Sequence, residues 1–413
     1  MSSKKQPFPI FKNRSFQILA AEALLLALLF SGLLVSPILP APPCSVSDSV
    51  SGRRPDSGKA PDSGKAPDSG KTPDSGKAPD SGENADFVQN SDSSKNPDSS
   101  RQKNFIRWVD FDVTAEAMNQ ALYYDINSYL SPCHQDWISL LAFLGARYGG
   151  DFSRYQKADL EHLIQKLQNG LSMEEITKDM KYYPYYLEAY TAVLGGLVGE
   201  YQIQEPGKPD ENGHSEPVWQ SRYGLKAFSP IARYFPYEDY DDFGASRSYG
   251  FQRRHLGHDF MGQVGTPVIC VESGQVEAIG WNQYGGWRLG IRSFDKKRYY
   301  YYAHLRKNYP YHKSLKQGSI VQAGDVIGYL GRTGYSTTEN TNNIDTPHLH
   351  FGLQLIFDES QKDGNNEIWI DCYELARFLS MNRSETVKEY YRLWKMKAPA
   401  VPGGAKEQNI NHS

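Results

Sequence analysis

His348-Leu349-His350-Phe351-Gly352-Leu353-Gln354-Leu355 is the run on which the fold turns. Side chains two apart on a strand face the same side, so His348 and His350 project together into a cleft while Leu349 and Phe351 turn to a core. Toward the amino terminus, Thr266 to Val271, Gln275 to Ile279 and Tyr299 to Leu305 are further short apolar runs punctuated by glycine. The region after about Asp241 is therefore expected to be all-β. Of the ten histidines in the chain, six lie between His255 and His350, so this region concentrates the neutral nitrogen donors a metal would need.

Three elements carry those donors: His255-Leu256-Gly257-His258-Asp259, Tyr302-Ala303-His304-Leu305 and His348-Leu349-His350-Phe351. His255, Asp259 and one of the two strand histidines make two imidazoles and a carboxylate, which leaves a fourth tetrahedral position to water. Water bound at such a zinc site has a pKa of about 7 rather than about 15.7, so a nucleophile is available at neutral pH. The other histidines can then accept and return protons. His258, one residue from Asp259, is expected to face away from the metal. His312, in a Tyr- and Lys-rich loop, is expected at the surface.

Taken in order, with Gly265-Thr266-Pro267-Val268, Gly274-Gln275-Val276 and Gly324-Asp325-Val326-Ile327-Gly328 between them, these elements resemble the lysostaphin-type zinc metallopeptidases, the M23 or LytM-like family. The resemblance covers roughly Asp241 to Phe357. It implies an antiparallel β-sheet core with a long groove, Zn2+ held by His255, Asp259 and His350, and a catalytic pair His304 and His348. It also implies, as substrates, glycine-rich or D-amino-acid peptide bridges of bacterial cell walls. A zinc metalloendopeptidase acting on peptidoglycan peptides is the expected function. The alternative is a catalytically silent or partner-regulated scaffold or activator in a cell-wall remodelling or sporulation complex; the presence of all five site residues favours the enzyme. Two positions depart from the family pattern. Residues Tyr335 to Thr346 form a polar insertion where a shorter turn is usual, and His258 stands where an aliphatic residue is usual. The insertion borders the cleft, and either it or the helical segment is a candidate cover for the groove, moved by a protein regulator.

Upstream, Phe16 to Leu39 is almost wholly apolar, with only Glu22 interrupting it. At about 1.5 Å per residue it suffices as a helix to cross a bilayer core of about 30 Å. Lys4, Lys5, Lys12 and Arg14 precede it and the next basic residue is Arg53, so residues 1–15 are expected in the cytoplasm and the rest outside the cell membrane. Pro42-Pro43 argue against both cleavage at Ala41 and lipidation at Cys44, which leaves a single-pass signal anchor. Within a linker over 40–103, the chain between Arg54 and Glu83 repeats Pro-Asp-Ser-Gly-Lys-Ala/Thr and then runs rich in Ser and Asp. With no large apolar side chain in any repeat, a disordered tether is expected.

Residues 104–200 change to helical periodicity. Met118, Leu122, Ile126 and Leu130 recur every fourth residue; Leu160, Leu163, Ile164 and Leu167 form a second stripe; Ser172 and Glu175 make a capping box; Leu187, Tyr190, Val193, Leu194 and Leu197 mark a further helix. An all-α bundle of four or five helices is expected, then a connector over 201–240, the peptidase-like domain over 241–380 and a tail over 381–413. Tyr182, Tyr183, Tyr185 and Tyr186 are read as either sugar-stacking or packing residues, and the isolated His134 and His162 as structural. A net charge of -3 with mixed signs offers no basic stripe for nucleic acid. Cys44, Cys133, Cys270 and Cys372 form no C-x-x-C pair, and Cys270 is read as a buried strand residue rather than the partner of Cys372.

Overall fold

The computed structural model describes residues 105–207, 216–248, 252–364, 366–388, 394–396 and 400–402. The cytoplasmic segment, transmembrane helix and repeat linker expected before residue 104 lie outside the described residues. Among the described residues no helix is long and apolar enough to cross a membrane.

Five α-helices lead: α1 Ala115–Ser128, α2 Trp137–Tyr148, α3 Lys157–Gln168, α4 Met173–Thr177 and α5 Tyr183–Leu194. Local chemistry starts most of them. Thr114 and Asp136 accept from the orphan amides of Ala117 and Ser139, and the Ser172–Glu175 capping box is present. Pro184 occupies the first turn of α5, where a missing N–H costs nothing. The four-residue stripe of α1 holds only in part. Met118 and Leu122 are buried, but Ile126 in the last turn is 41% exposed, and Leu130, beyond the helix end at Ser128, is 93% exposed. Of the tyrosines around Pro184, Tyr186 lies against Tyr190 and the Tyr185 hydroxyl donates to the Trp108 carbonyl, while Tyr182 is largely exposed.

Where a connector was expected, β1 Val198–Pro206 and β2 Pro217–Leu225 form a regular antiparallel hairpin. There follow β3 Tyr237–Asp239, β4 Ser246–Ser248, β5 Gln252–Arg254, β6 His258–Gly262, β7 Pro267–Ile269, β8 Gly274–Asn282, β9 Gly286–Ser293, β10 Arg298–Ala303, β11 Ile320–Val321, β12 Val326–Tyr329 and β13 His348–Leu355. The main sheet runs β11-β8-β9-β10-β13-β6-β3, antiparallel at each step. β14 Ile368–Ile370 pairs with β13, and α6 Tyr373–Leu379 adds a helix to the region expected to be all-β. In the expected tail, Thr386–Lys388 pairs with Trp394–Met396, and Ala400–Pro402 pairs onto β1.

One hydrophobic core runs from Val109 in the helical segment through the sheet to Leu379. Trp137 stacks on Phe378 of α6, and Glu374 accepts from the Ala115 amide at 2.6 Å. At the far end of α5, the buried Arg298 guanidinium donates to the Ala192 carbonyl at 2.7 Å and to both oxygens of Glu272 at 2.7 and 3.1 Å. A Cβ at Gly196 would fall 1.7 Å from a Glu272 oxygen, so only glycine allows this close approach. Cys270 and Cys372 are both free and buried, as packing residues would be.

Candidate active site

The sheet order sets β10, β13 and β6 side by side, and register does the rest. Ala303 of β10 faces His350 of β13, and His350 faces Asp259 of β6. Leu349 and Phe351 are buried on the opposite side, as the alternation predicts. His255 comes from the turn between β5 and β6, and His304 from the residue just past β10.

His255 Nε2, Asp259 Oδ1 and His350 Nδ1 form a triangle with edges of 3.1, 3.0 and 2.9 Å. Two nitrogens and a carboxylate oxygen so close share one focus, and each could give a ligand atom to a single metal ion. Donors at about 2.0–2.2 Å around a tetrahedral ion would be separated by little more than these edges, so the residues present fit such a group. His348 and His304 stand beside the triangle. His348 Nε2 is 3.8 Å from Asp259 Oδ2, and the His304 and His348 ring centroids are 4.8 Å apart.

Hydrogen bonds fix the tautomers. A backbone carbonyl only accepts, so Nδ1 of His304, 2.9 Å from the Thr333 carbonyl, carries its proton and donates. Nδ1 of His348 does the same to the Thr346 carbonyl at 2.8 Å. Each ring is thereby left with a bare Nε2. His304 is held in a left-handed backbone conformation, φ 60°, stabilised by its amide donating to the Gly285 carbonyl.

Electrostatics agree. Burial would raise the Asp259 pKa, but its hydrogen bonds to His255 and His350 override this and hold the carboxyl well below the usual range. Burial, together with the neighbouring His348 and His350 rings, pushes His304 well down; His350 is also lowered, chiefly by burial. His255 moves up: burial opposes its charge, yet the Asp259 and Asp242 carboxylates outweigh it. An ionised Asp259 carboxylate beside the His304 and His350 rings, whose burial disfavours their charged forms, is a charge arrangement suited to a cation.

All five side chains singled out from the sequence converge here. His258 does not: it is buried, its Nε2 3.1 Å from Asp239 Oδ2 and its ring against Phe260. Three contributors escaped the sequence reading. Asp242 Oδ1 accepts from His255 Nδ1 at 2.9 Å and so frees Nε2 to face the triangle. Arg247 bridges the Asp242 and Asp259 carboxylates. Gly257 lies where a Cβ would come within 2.6 Å of the His350 ring and 2.7 Å of the Phe351 carbonyl. Its place between two candidate ligands is the only one of these signals that a sequence could carry. The insertion is pinned as part of the wall: Asn340 Oδ1 accepts from Trp287 Nε1 and from the Asn308 amide, both at 2.9 Å.

Residues 253–363 match the family model for Peptidase family M23. This part of the chain is an M23 peptidase domain. An L-Ala--D-Glu endopeptidase of Bacillus subtilis (strain 168) is 41% identical over 110 residues, 27% of this chain and 32% of that protein. The glycyl-glycine endopeptidase ALE-1 of Staphylococcus capitis is 40% identical over 98 residues, 24% of each. Among solved structures, the catalytic domain of lysostaphin from Staphylococcus simulans is 31% identical, with 34% of this chain and 92% of that one covered and a TM-score of 0.27. The chain thus spans a third or less of the length of these two curated relatives. All five converging residues fall inside the M23 domain.

Proposed function

We propose that this chain is a zinc-dependent endopeptidase that hydrolyses peptide links in peptidoglycan, with His255, Asp259 and His350 holding the metal and His304 and His348 moving protons. The observation that carries the reading is the convergence of those five side chains, three of them on one triangle of ligand atoms. A bound zinc ion would supply Lewis acidity, polarising the scissile carbonyl and acidifying water. His348, with Nδ1 committed to a carbonyl, offers Nε2 to the proton of a water attacking the carbonyl carbon. As the C–N bond breaks, the imidazolium returns that proton to the departing amine. Burial keeps His304 neutral, so it passes a shared proton on rather than keeping it.

The expected result is new amino termini when purified peptidoglycan is incubated with the zinc-loaded full chain, read by mass spectrometry of the released muropeptides. Stoichiometric zinc with no cut in walls of either acidic-stem or glycine-bridge type would favour the scaffold. Gly257→Ala tests the ligand geometry: a methyl against the His350 ring is expected to weaken zinc affinity by about 10- to 100-fold. Competition with a chelating dye reads this, and unchanged affinity would mean that the ring is not positioned by that contact.

The proposal extends to location and control. The apolar run 16–39 and the charge bias before it support a single-pass anchor with the M23 domain outside the membrane. Partner control would have to act on a helical segment that shares its core with the sheet, or on an insertion pinned by Asn340.

A further inference from the structure

The hairpin of β4 and β5 places Arg247 opposite Arg253, at the mouth of the site. The two arginines differ in their partners. Arg247 is engaged by Asp242 and Asp259. Arg253 pairs with no carboxylate among the described residues, and its Nε is buried without a hydrogen-bond partner. Buried N–H groups of a guanidinium are rarely left this way, because desolvation without replacement costs about 1–3 kcal/mol or more. The side chain is nonetheless held: its guanidinium carbon sits 5.0 Å from the centroid of the Tyr335 ring, the first residue of the insertion. That ring is in turn 5.7 Å from the ring of His304. A guanidinium supported on an aromatic face keeps its in-plane N–H fork free for a planar anion.

We infer that Arg253, propped on Tyr335, is a carboxylate-recognising subsite of the cleft, so that the preferred substrate is a stem peptide with a free carboxylate near the scissile bond rather than a neutral glycine bridge. The inference rests on the peptidase reading above. One ring separates the guanidinium from the catalytic pair, and an extended peptide advances about 3.5 Å per residue, so the carboxylate lies within a few residues of the cut. The insertion thereby acquires a role in specificity: it supplies the aromatic platform that holds the arginine. A carboxylate bound in the plane of the guanidinium would satisfy the unpaired Nε–H.

The test uses the zinc-loaded full chain and a synthetic stem peptide carrying an acidic residue and a free C-terminus. Each carboxylate is converted to its amide in turn, and an all-glycine peptide of the same length is included. For the wild type, amidation at one position is expected to lower kcat/KM by about 10- to 100-fold, and the position affected tells a chain-terminal from an internal carboxylate. In Arg253→Gln that ratio collapses toward one, and Arg253→Lys, which keeps the charge and loses the fork, falls between. Full zinc content and an unchanged thermal midpoint show that the variants are otherwise intact. Wild-type indifference to every amidation, or an Arg253→Gln enzyme that keeps the ratio, overturns the inference. If the wild type cuts none of the peptides, the peptidase reading fails instead. Calorimetric Kd values for acid and amide peptides on zinc-loaded His348→Ala, with and without Arg253→Gln, then still decide whether Arg253 selects a carboxylate.

Discussion

Asp259→Asn is expected to keep the fold, lose stoichiometric zinc and cut wall hydrolysis by about 10^3-fold or more, the equivalent of the several kcal/mol a catalytic metal supplies. The amide has the shape of the carboxylate but not its charge. Oδ1 of Asp259 is the corner shared by both imidazole contacts, at 3.1 Å to His255 and 2.9 Å to His350, so its anion is what assembles the triangle. The informative comparison is with His304→Ala and His348→Ala. Neither ring belongs to the triangle, so both variants should retain metal while losing rate, each by about 10^2- to 10^4-fold as general acid–base groups do. Metal content by emission spectrometry and amine release from peptidoglycan, measured on the same preparations, separate the two classes. A His348→Ala protein that lost zinc as completely as Asp259→Asn would show that the division into ligands and proton carriers is wrong.

The second large effect concerns stability. Arg298→Met is expected to lower the unfolding free energy by about 3–5 kcal/mol, because it strands the Glu272 carboxylate in the interior. Burial opposes the Arg298 charge, yet the Glu272 anion holds the guanidinium above its ordinary value, and Tyr300, kept neutral by burial, donates to the same carboxylate at 2.7 Å. Arg298 also donates to Asp295 at 2.6 Å and to the Ala192 carbonyl at the end of α5, so the loss falls on the junction of the helical segment with the sheet. Pairing Arg298→Met with Glu272→Gln should recover a good part of the loss, since no buried charge is then left alone. Urea unfolding followed by tyrosine fluorescence and by far-ultraviolet circular dichroism reads both effects. One coincident transition is expected from the continuous core. A cost below about 1 kcal/mol, or separate transitions for helix and sheet, would contradict the junction described here.

How much of this could be read in the chain follows from where physical signals are local. The alternation of β13 is local, and it correctly set His348 and His350 apart from the buried Leu349 and Phe351. The Ser172–Glu175 cap is local too. The hairpin of β1 and β2 leaves no such local mark: most of β2 is exposed, so no alternation of burial is impressed on its sequence. Helix α2 escaped a stripe for the opposite reason: it is apolar and buried almost all round. Leu130 continues the period beyond the end of its helix, a reminder that spacing does not itself terminate a helix.

The site divides the same way. Ligand types and their order are written in the chain, but the residues that aim them are not. Asp242 reaches His255 from thirteen positions upstream across a loop, with no fixed spacing to reveal it. The left-handed backbone of His304 is set by tertiary contacts at Gly285 and Thr333. Arg253 stands out only because the fold brings Tyr335 beneath it and leaves its Nε without a partner.

The most direct test of the account is an anomalous difference map at the zinc edge from crystals of the zinc-loaded chain. A single peak is expected about 2.0–2.2 Å from His255 Nε2, His350 Nδ1 and Asp259 Oδ1, with His304 and His348 outside bonding distance. A peak elsewhere, or none from protein with stoichiometric zinc, would contradict it.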